Sequence, residues 1–130
     1  MEAERTFWEK ATILHDSFLR PAAKEFRDRS SRHYYDTVLL AEHEAGIKAL
    51  TRLDLLKRVV RFKGRFFLSS WSDYASAKPG SFHLVPPGYR LREIEQDYAK
   101  MADMFIIEPP KLPDLLGRLR AAEERINRLA

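Results

Sequence analysis

Seven prolines punctuate this 130-residue sequence, and the stretches between them carry apolar residues at the period of a helix. Proline lacks the amide that a helix interior needs and biases the residue before it away from the helical region, so each one marks a boundary. Pro21 stops a first helix near Leu19–Arg20, whose apolar positions are Phe7, Ala11, Leu14 and Phe18. Thr6-Phe7-Trp8-Glu9 has the form of a capping box at its start. Pro79-Gly80 marks a turn, and Pro86-Pro87 closes the alternating Ser81-Phe82-His83-Leu84-Val85, which reads as extended or as a single edge strand. Pro109-Pro110 ends a helix of about Tyr89–Phe105, striped by Leu91, Ile94, Tyr98, Met101 and Phe105. Pro113 is tolerated in the first turn of a last helix, whose stripe is Leu115, Leu116, Leu119, Ala122, Ile126 and Leu129.

The proline-free middle is divided by other signals. Residues 21–30 are polar and form a loop, and Ser30-Ser31 can cap a second helix over Arg32–Glu44. Gly46 marks a break, followed by a short helix over Ile47–Leu53. Asp54 can cap a third long helix, about Leu55–Leu68, with Leu56, Val59, Val60, Phe66 and Phe67 on one broad apolar face. The expected fold is mainly α: an irregular bundle of five or six helices in one domain over residues 1–130, with one short extended segment near 81–85.

Composition supports this. Hydrophobic residues make up 45% and charged residues 32%, enough for a core in water. No apolar run approaches the roughly 20 residues of a membrane span. The N-terminus has no secretory pattern, and cysteine is absent, which rules out disulfides and thiolate zinc sites and points to the cytoplasm. The net charge of +4 is uneven. Residues 1–65 hold 14 Lys/Arg against 10 Asp/Glu, whereas residues 66–130 hold nine of each, so the excess lies in the first half. That is a mild pull toward anions, too local for a histone-like or ribosomal protein.

Four positions in the basic half break the amphipathic pattern. Lys63 falls among Val59, Val60, Phe66 and Phe67 on the helix wheel, so its amine either snorkels to solvent or serves a site. Asp36 sits between Leu39 and Leu40, one turn after Arg32; it is either a local ion pair or an inward carboxylate with a function. Lys10 lies at the edge of the Phe7/Leu14 stripe. Together, Lys10, Arg32, Asp36 and Lys63 outline a candidate anion site. Lys57, Arg58, Arg61 and Arg65 share one sector opposite the apolar face, which is either a solvated face or a stripe for a polyanion such as RNA. His15 and His33 have no metal-ligand spacing and read as structural or phosphate-facing. There is no Gly-rich phosphate loop, no Ser-His-Asp or Cys-His set, and no candidate metal ligand set.

Several of these residues lie in segments with a family likeness. Glu4-Arg5-Thr6-Phe7-Trp8-Glu9-Lys10-Ala11-Thr12-Ile13-Leu14-His15 resembles a segment of the abortive-infection AbiEii/AbiGii nucleotidyltransferase toxins. Arg32-His33-Tyr34-Tyr35-Asp36 with Leu39-Leu40 resembles the family's next motif, and Arg58–Lys63, Phe66-Phe67 and the Pro79-Gly80…Leu84-Val85-Pro86-Pro87 segment fit as well. The likeness covers nearly the whole chain. It implies transfer of a nucleotide to an RNA or protein acceptor, by a toxin paired with an antitoxin, with Mg²⁺ and a nucleoside triphosphate in the complete enzyme.

Carried onto these residues, the resemblance implies that Lys10 touches nucleotide phosphate and that Asp36 orients or deprotonates near the acceptor or metal. Arg32 and His33 would support them; Lys63 is added from its wheel position. The family's N-terminal core, a Gly-Ser turn together with a metal-holding Asp-x-Asp pair, is not found in this sequence. The expectation is therefore a helical part that binds no cofactor and is not competent as an enzyme alone. It would be a remnant, a separately encoded half or an isolated domain, working with a separate nucleotidyltransferase core or an antitoxin. The alternative is a non-enzymatic RNA- or protein-binding module using the basic helix face. A homodimer is also expected, through apolar surface at Phe7, Trp8 and Tyr34–Tyr35.

Overall fold

The computed structural model describes residues 3–27, 29–67, 69–104 and 108–130. Six α-helices follow in order: α1 (Ala3–Leu19), α2 (Arg32–Glu42), α3 (Glu44–Ala49), α4 (Leu53–Phe66), α5 (Leu91–Met101) and α6 (Leu112–Asn127). No strand occurs among the described residues. Short 3-10 turns at Gly88–Arg90 and Ala102–Met104 flank α5, so the expected single helix over Tyr89–Phe105 is tightened at both ends, with Phe105 outside the described residues.

Helix α1 is the hub, packing against α2, α3 and α4, while α6 packs on α2. Its stripe is wider than the spacing of Phe7, Ala11 and Leu14 implies, because Trp8, Thr12 and His15 are buried too. The Trp8 indole N–H donates to the Ala49 carbonyl at 3.1 Å, tying α1 to the end of α3. Phe7 (1% exposed), Trp8 (0%) and Tyr34 (4%) therefore belong to the core, not to a surface for a second copy. The α5 and α6 stripes pack through Ile94, Tyr98, Met101, Leu115, Leu119, Ala122 and Ile126, whereas Leu91 and Leu129, expected on the same stripes, are 38% and 40% exposed.

Helix ends depart from expectation because tertiary partners replace local caps. Helix α1 is already formed at Ala3, so Thr6-Phe7-Trp8-Glu9 lies inside it, and the Glu9 carboxylate pairs with Arg5 at 3.3 Å instead of reaching back to a free amide. Ser31 makes no side-chain cap for α2. Asp97 of α5 acts there instead, accepting from the Arg29 amide at 2.7 Å and the Ser31 amide at 3.0 Å. Those bonds also hold Arg29 in a left-handed conformation (φ 65°), which costs an L-residue about 1 kcal/mol.

Helix α2 ends at Glu42. His43 turns the chain and caps α3, its Nδ1 accepting from the Ala45 amide at 3.1 Å. Gly46 is thus inside a helix and marks a close approach: a Cβ there would sit 2.1 Å from the Leu40 carbonyl oxygen. Asp54 lies in the first turn of α4 and is gripped by Arg52 (3.0 and 3.0 Å), so it does not cap. Leu55, Leu56 and Val59 are buried, but Phe66 and Phe67, expected on the same apolar face, are 61% and 60% exposed.

The segment 81–85 is extended without a partner strand. The Ser81 amide donates to the Lys78 carbonyl, and the amides from residue 82 to 85 are taken by side chains, since buried backbone groups need partners. Asn127 Oδ1 accepts from Gly80 and Phe82, Glu123 Oε1 from Leu84 and Val85, and His15 Nδ1 from His83 at 3.0 Å. With Nδ1 accepting, His15 Nε2 carries the proton and donates to Ser76 Oγ at 2.7 Å; that hydroxyl donates to the Asp73 carbonyl. Burial pushes the His15 imidazole down to about 4, and the neighbouring His83 acts in the same direction. No helix among the described residues is long and apolar enough to cross a membrane.

Candidate functional site

Burial fixes the rotation of three helices, and that rotation aims their odd residues at one another. On α1, burying Phe7, Trp8, Ala11 and Leu14 leaves Glu9 and Lys10 on the rim. On α2, burying Tyr34, Thr37 and Val38 turns His33 and Asp36 toward α1. On α4, burying Leu55, Leu56 and Val59 brings Lys63 over α1 one turn later.

Asp36 is shared by two cations. Its Oδ2 lies 3.8 Å from Lys10 Nζ and 3.7 Å from Arg32 Nε. These are ion-pair separations, too long for hydrogen bonds, so the carboxylate and both cations can re-pair with an incoming group. Lys10 and Asp36 are about three-quarters buried, whereas Arg32 is mostly exposed at the mouth.

Lys63 does not snorkel away. Its amine donates to the Glu9 carbonyl at 2.8 Å, which places it against α1 next to Lys10. Burial lowers its pKa to about 8; Glu9 and Asp16 oppose that shift and Lys10 adds to it. His33 senses the same group: burial holds its imidazole below the ordinary value, Lys10, Lys63 and Arg32 push the same way, and Asp36 opposes. Its Nδ1 is buried and has no hydrogen-bond partner among the described residues. An unpartnered buried nitrogen costs free energy unless water or a ligand satisfies it.

A cleft of about 520 Å³ opens beside Lys63. Ile13 and Val59 line it with Phe62, Phe67 and Tyr74, and Glu9, Asp16, Ser17, Arg27 and Ser69 supply its polar groups. Sequence reasoning did not reach these lining residues, although Glu9, Ile13, Asp16 and Ser17 fall at i, i+4, i+7 and i+8 along α1 and so share a face.

The exposed stripe of α4 is a separate surface. Lys57, Arg58, Arg61 and Arg65 face solvent, and none forms an ion pair with a described residue. Lys57 and Arg61 border a second, apolar groove of about 380 Å³ against Tyr74–Pro79, and the Arg65 guanidinium lies 5.5 Å over the Phe66 ring.

The donor set at the cluster suits an anion. Lys10 and Arg32 engage the Asp36 carboxylate, and the His33 imidazole lies within electrostatic reach of Lys10, Arg32, Asp36 and Lys63. Among the described residues, no three His, Asp or Glu side chains are placed to hold a metal ion. The cluster is therefore mainly cationic, with Asp36 as its one carboxylate.

The match to known families agrees with that chemistry. Residues 1–125 match the family described as nucleotidyl transferase AbiEii toxin, type IV toxin–antitoxin system. The chain belongs to the AbiEii toxin family. The resemblance drawn from Glu4–His15, Arg32–Asp36 and Arg58–Lys63 thus extends over almost the whole sequence. No curated protein matches the chain, and no solved structure does. An AbiEii nucleotidyltransferase acts on a nucleoside triphosphate, and membership of a toxin–antitoxin family implies an antitoxin partner.

Proposed function

We propose that this chain is the phosphate-binding helical part of an AbiEii nucleotidyltransferase site. Lys10 and Lys63 take the triphosphate oxygens, with Arg32 at the mouth and the bare His33 Nδ1 as a further contact. Asp36 orients the acceptor and accepts its proton. In the transfer, the acceptor oxygen bonds to the α-phosphorus, the bond to pyrophosphate breaks, and the proton passes to the Asp36 carboxylate. The cations neutralise charge that builds on the leaving pyrophosphate, which is how positioned charge accelerates phosphoryl chemistry.

The observation that carries this reading is the convergence of Lys10, Asp36 and Lys63 from three helices around a carboxylate held only by loose ion pairs. Among the described residues no three His, Asp or Glu side chains gather as metal ligands, which supports placing the metal-holding carboxylates on a separate nucleotidyltransferase core. Incubating the chain with labelled nucleoside triphosphates, Mg²⁺ and bulk tRNA checks the division of labour. No transfer is expected from the chain alone, and transfer is expected once a Gly-Ser…Asp-x-Asp core is added. Robust transfer by the chain alone would contradict the division.

A second reading is favoured by one observation: four solvent-facing cations on α4 without ion-pair partners among the described residues. A module holding RNA on that face would lose affinity steeply with salt, and would lose it again when Arg61 and Arg65 are reversed to glutamate. Absence of binding at low salt would end that reading.

A further inference from the structure

We infer that the cleft beside Lys63 is a nucleobase subsite, and that it favours bases carrying an amino group; the inference rests on the reading of Lys10 and Lys63 as phosphate ligands. The cleft is about 520 Å³, inside the range of roughly 300–1,000 Å³ typical of small-molecule sites. Its most unusual feature is a pair of aromatic rings left in water. Phe62 is 45% exposed and Phe67 60% exposed, both lining the cleft whose inner edge holds the buried Lys63 amine.

An apolar surface left open next to a desolvated cation is costly in both parts unless something covers it. A nucleotide has the matching two halves, a flat aromatic ring and a polyanion. Phe62 lies beside Lys63 on α4 and Phe67 just past its end, so both rings and the amine border the same cleft. The two ring centroids are 5.8 Å apart at 46°, so the rings touch each other, and a base lies over the pair and not between them.

The polar lining sets the preference. Asp16 lines the cleft with a carboxylate, whose oxygens only accept hydrogen bonds and whose Oδ1 already accepts from Ser72 Oγ at 2.6 Å, while the Glu9 carboxylate is paired with Arg5. Cytosine, adenine and guanine each offer an exocyclic amino group to such acceptors, whereas uracil has none. Arg27 also lines the cleft and balances part of the acidic charge.

Calorimetric titration of the chain with inorganic tripolyphosphate, CTP, ATP and UTP tests this. CTP and ATP should bind about tenfold tighter than tripolyphosphate, the scale of one base stacked on an aromatic ring. Phe67→Ala, at an exposed position where folding is not at stake, should abolish that margin and leave tripolyphosphate binding unchanged. UTP should bind about tenfold more weakly than CTP, and Asp16→Asn should narrow the gap. Equal affinity for nucleotides and tripolyphosphate, or a Phe67→Ala loss shared by all ligands, would overturn the subsite. Equal CTP and UTP affinity would overturn the amino preference. Failure to bind tripolyphosphate at all would instead remove the phosphate reading itself, and the subsite with it.

Discussion

Two histidines, His15 buried and His33 half-buried, show what separates scaffold from the proposed site in this molecule. His15 and His33 both lie on helices beside α1's packing faces, and burial pushes both imidazoles below their ordinary pKa. At His15 each ring nitrogen has a partner, the His83 amide on one side and the Ser76 hydroxyl on the other. At His33 one nitrogen is bare and the surroundings are charged on several sides. Burial with complete hydrogen bonding is how a fold holds an extended segment that has no partner strand. Burial with an orphaned nitrogen amid loosely paired cations is how a site waits for an anion.

The largest expected effect breaks the frame that gives both regions their positions. Gly46→Ala forces a Cβ to 2.1 Å from the Leu40 carbonyl oxygen, so α2 and α3 must separate. A loss of about 3 kcal/mol or more in urea denaturation is expected, with phosphate binding lost alongside, because α2 carries His33 and Asp36.

Next comes His15→Ala, which strands the buried His83 amide and should cost about 2–4 kcal/mol. Acid reaches the same contact. The folded pKa of about 4 lies below the free value of 6.5, so the unfolded chain binds the proton more readily. His15 therefore contributes its full stability above pH 6.5 and loses about 3 kcal/mol as pH falls toward 4. A His15→Gln variant should lack that slope in denaturation curves collected across the window.

Lys63 should titrate in the same sense as His15 but in a higher window. Its folded pKa of about 8 is depressed from 10.5, so a charged amine is a burden on the fold below that pH, relieved as pH rises toward 10.5. Lys63→Met should raise stability at pH 7 by about 1 kcal/mol, after allowing for the lost bond to Glu9 and for solvent screening. The same change should abolish tight phosphate binding, and in the parent chain that binding should weaken as pH climbs past about 8. The smallest stability effect belongs to His33→Ala, within about 0.5 kcal/mol of the parent, yet with a measurable loss of affinity. If His33→Ala cost as much as His15→Ala, the contrast between the two histidines would fail.

What the sequence disclosed follows the same division. The α5 and α6 stripes were legible because Ile94, Tyr98, Leu115, Leu119 and Ile126 obey a local period. That Lys10, Arg32, Asp36 and Lys63 lie near one another was legible because each breaks the amphipathic pattern of its helix. The end of α2 at Glu42 was not legible, because Gly46 reads as a breaker until Leu40 is seen against it. Ser31 looked like a cap because its real partner, Asp97, is 66 residues away. Phe66 and Phe67 looked buried because the wheel reports which residues share a face but not where the neighbouring helix stops. Asn127 and Glu123 gave no sign of their role, since satisfying the amides of residues 80–85 is a purely tertiary event.

The central claim is that Lys10 and Lys63 form a phosphate site distinct from the exposed cations of α4. It is tested most directly by titrating inorganic tripolyphosphate into three proteins: the parent, a Lys10→Ala/Lys63→Ala double variant, and a Lys57→Ala/Arg61→Ala double variant. Loss of binding by about tenfold or more in the first double variant is predicted, with the second staying within about twofold of the parent because its cations are exposed and screened. Equal losses in the two variants, or a loss confined to Lys57→Ala/Arg61→Ala, would contradict it.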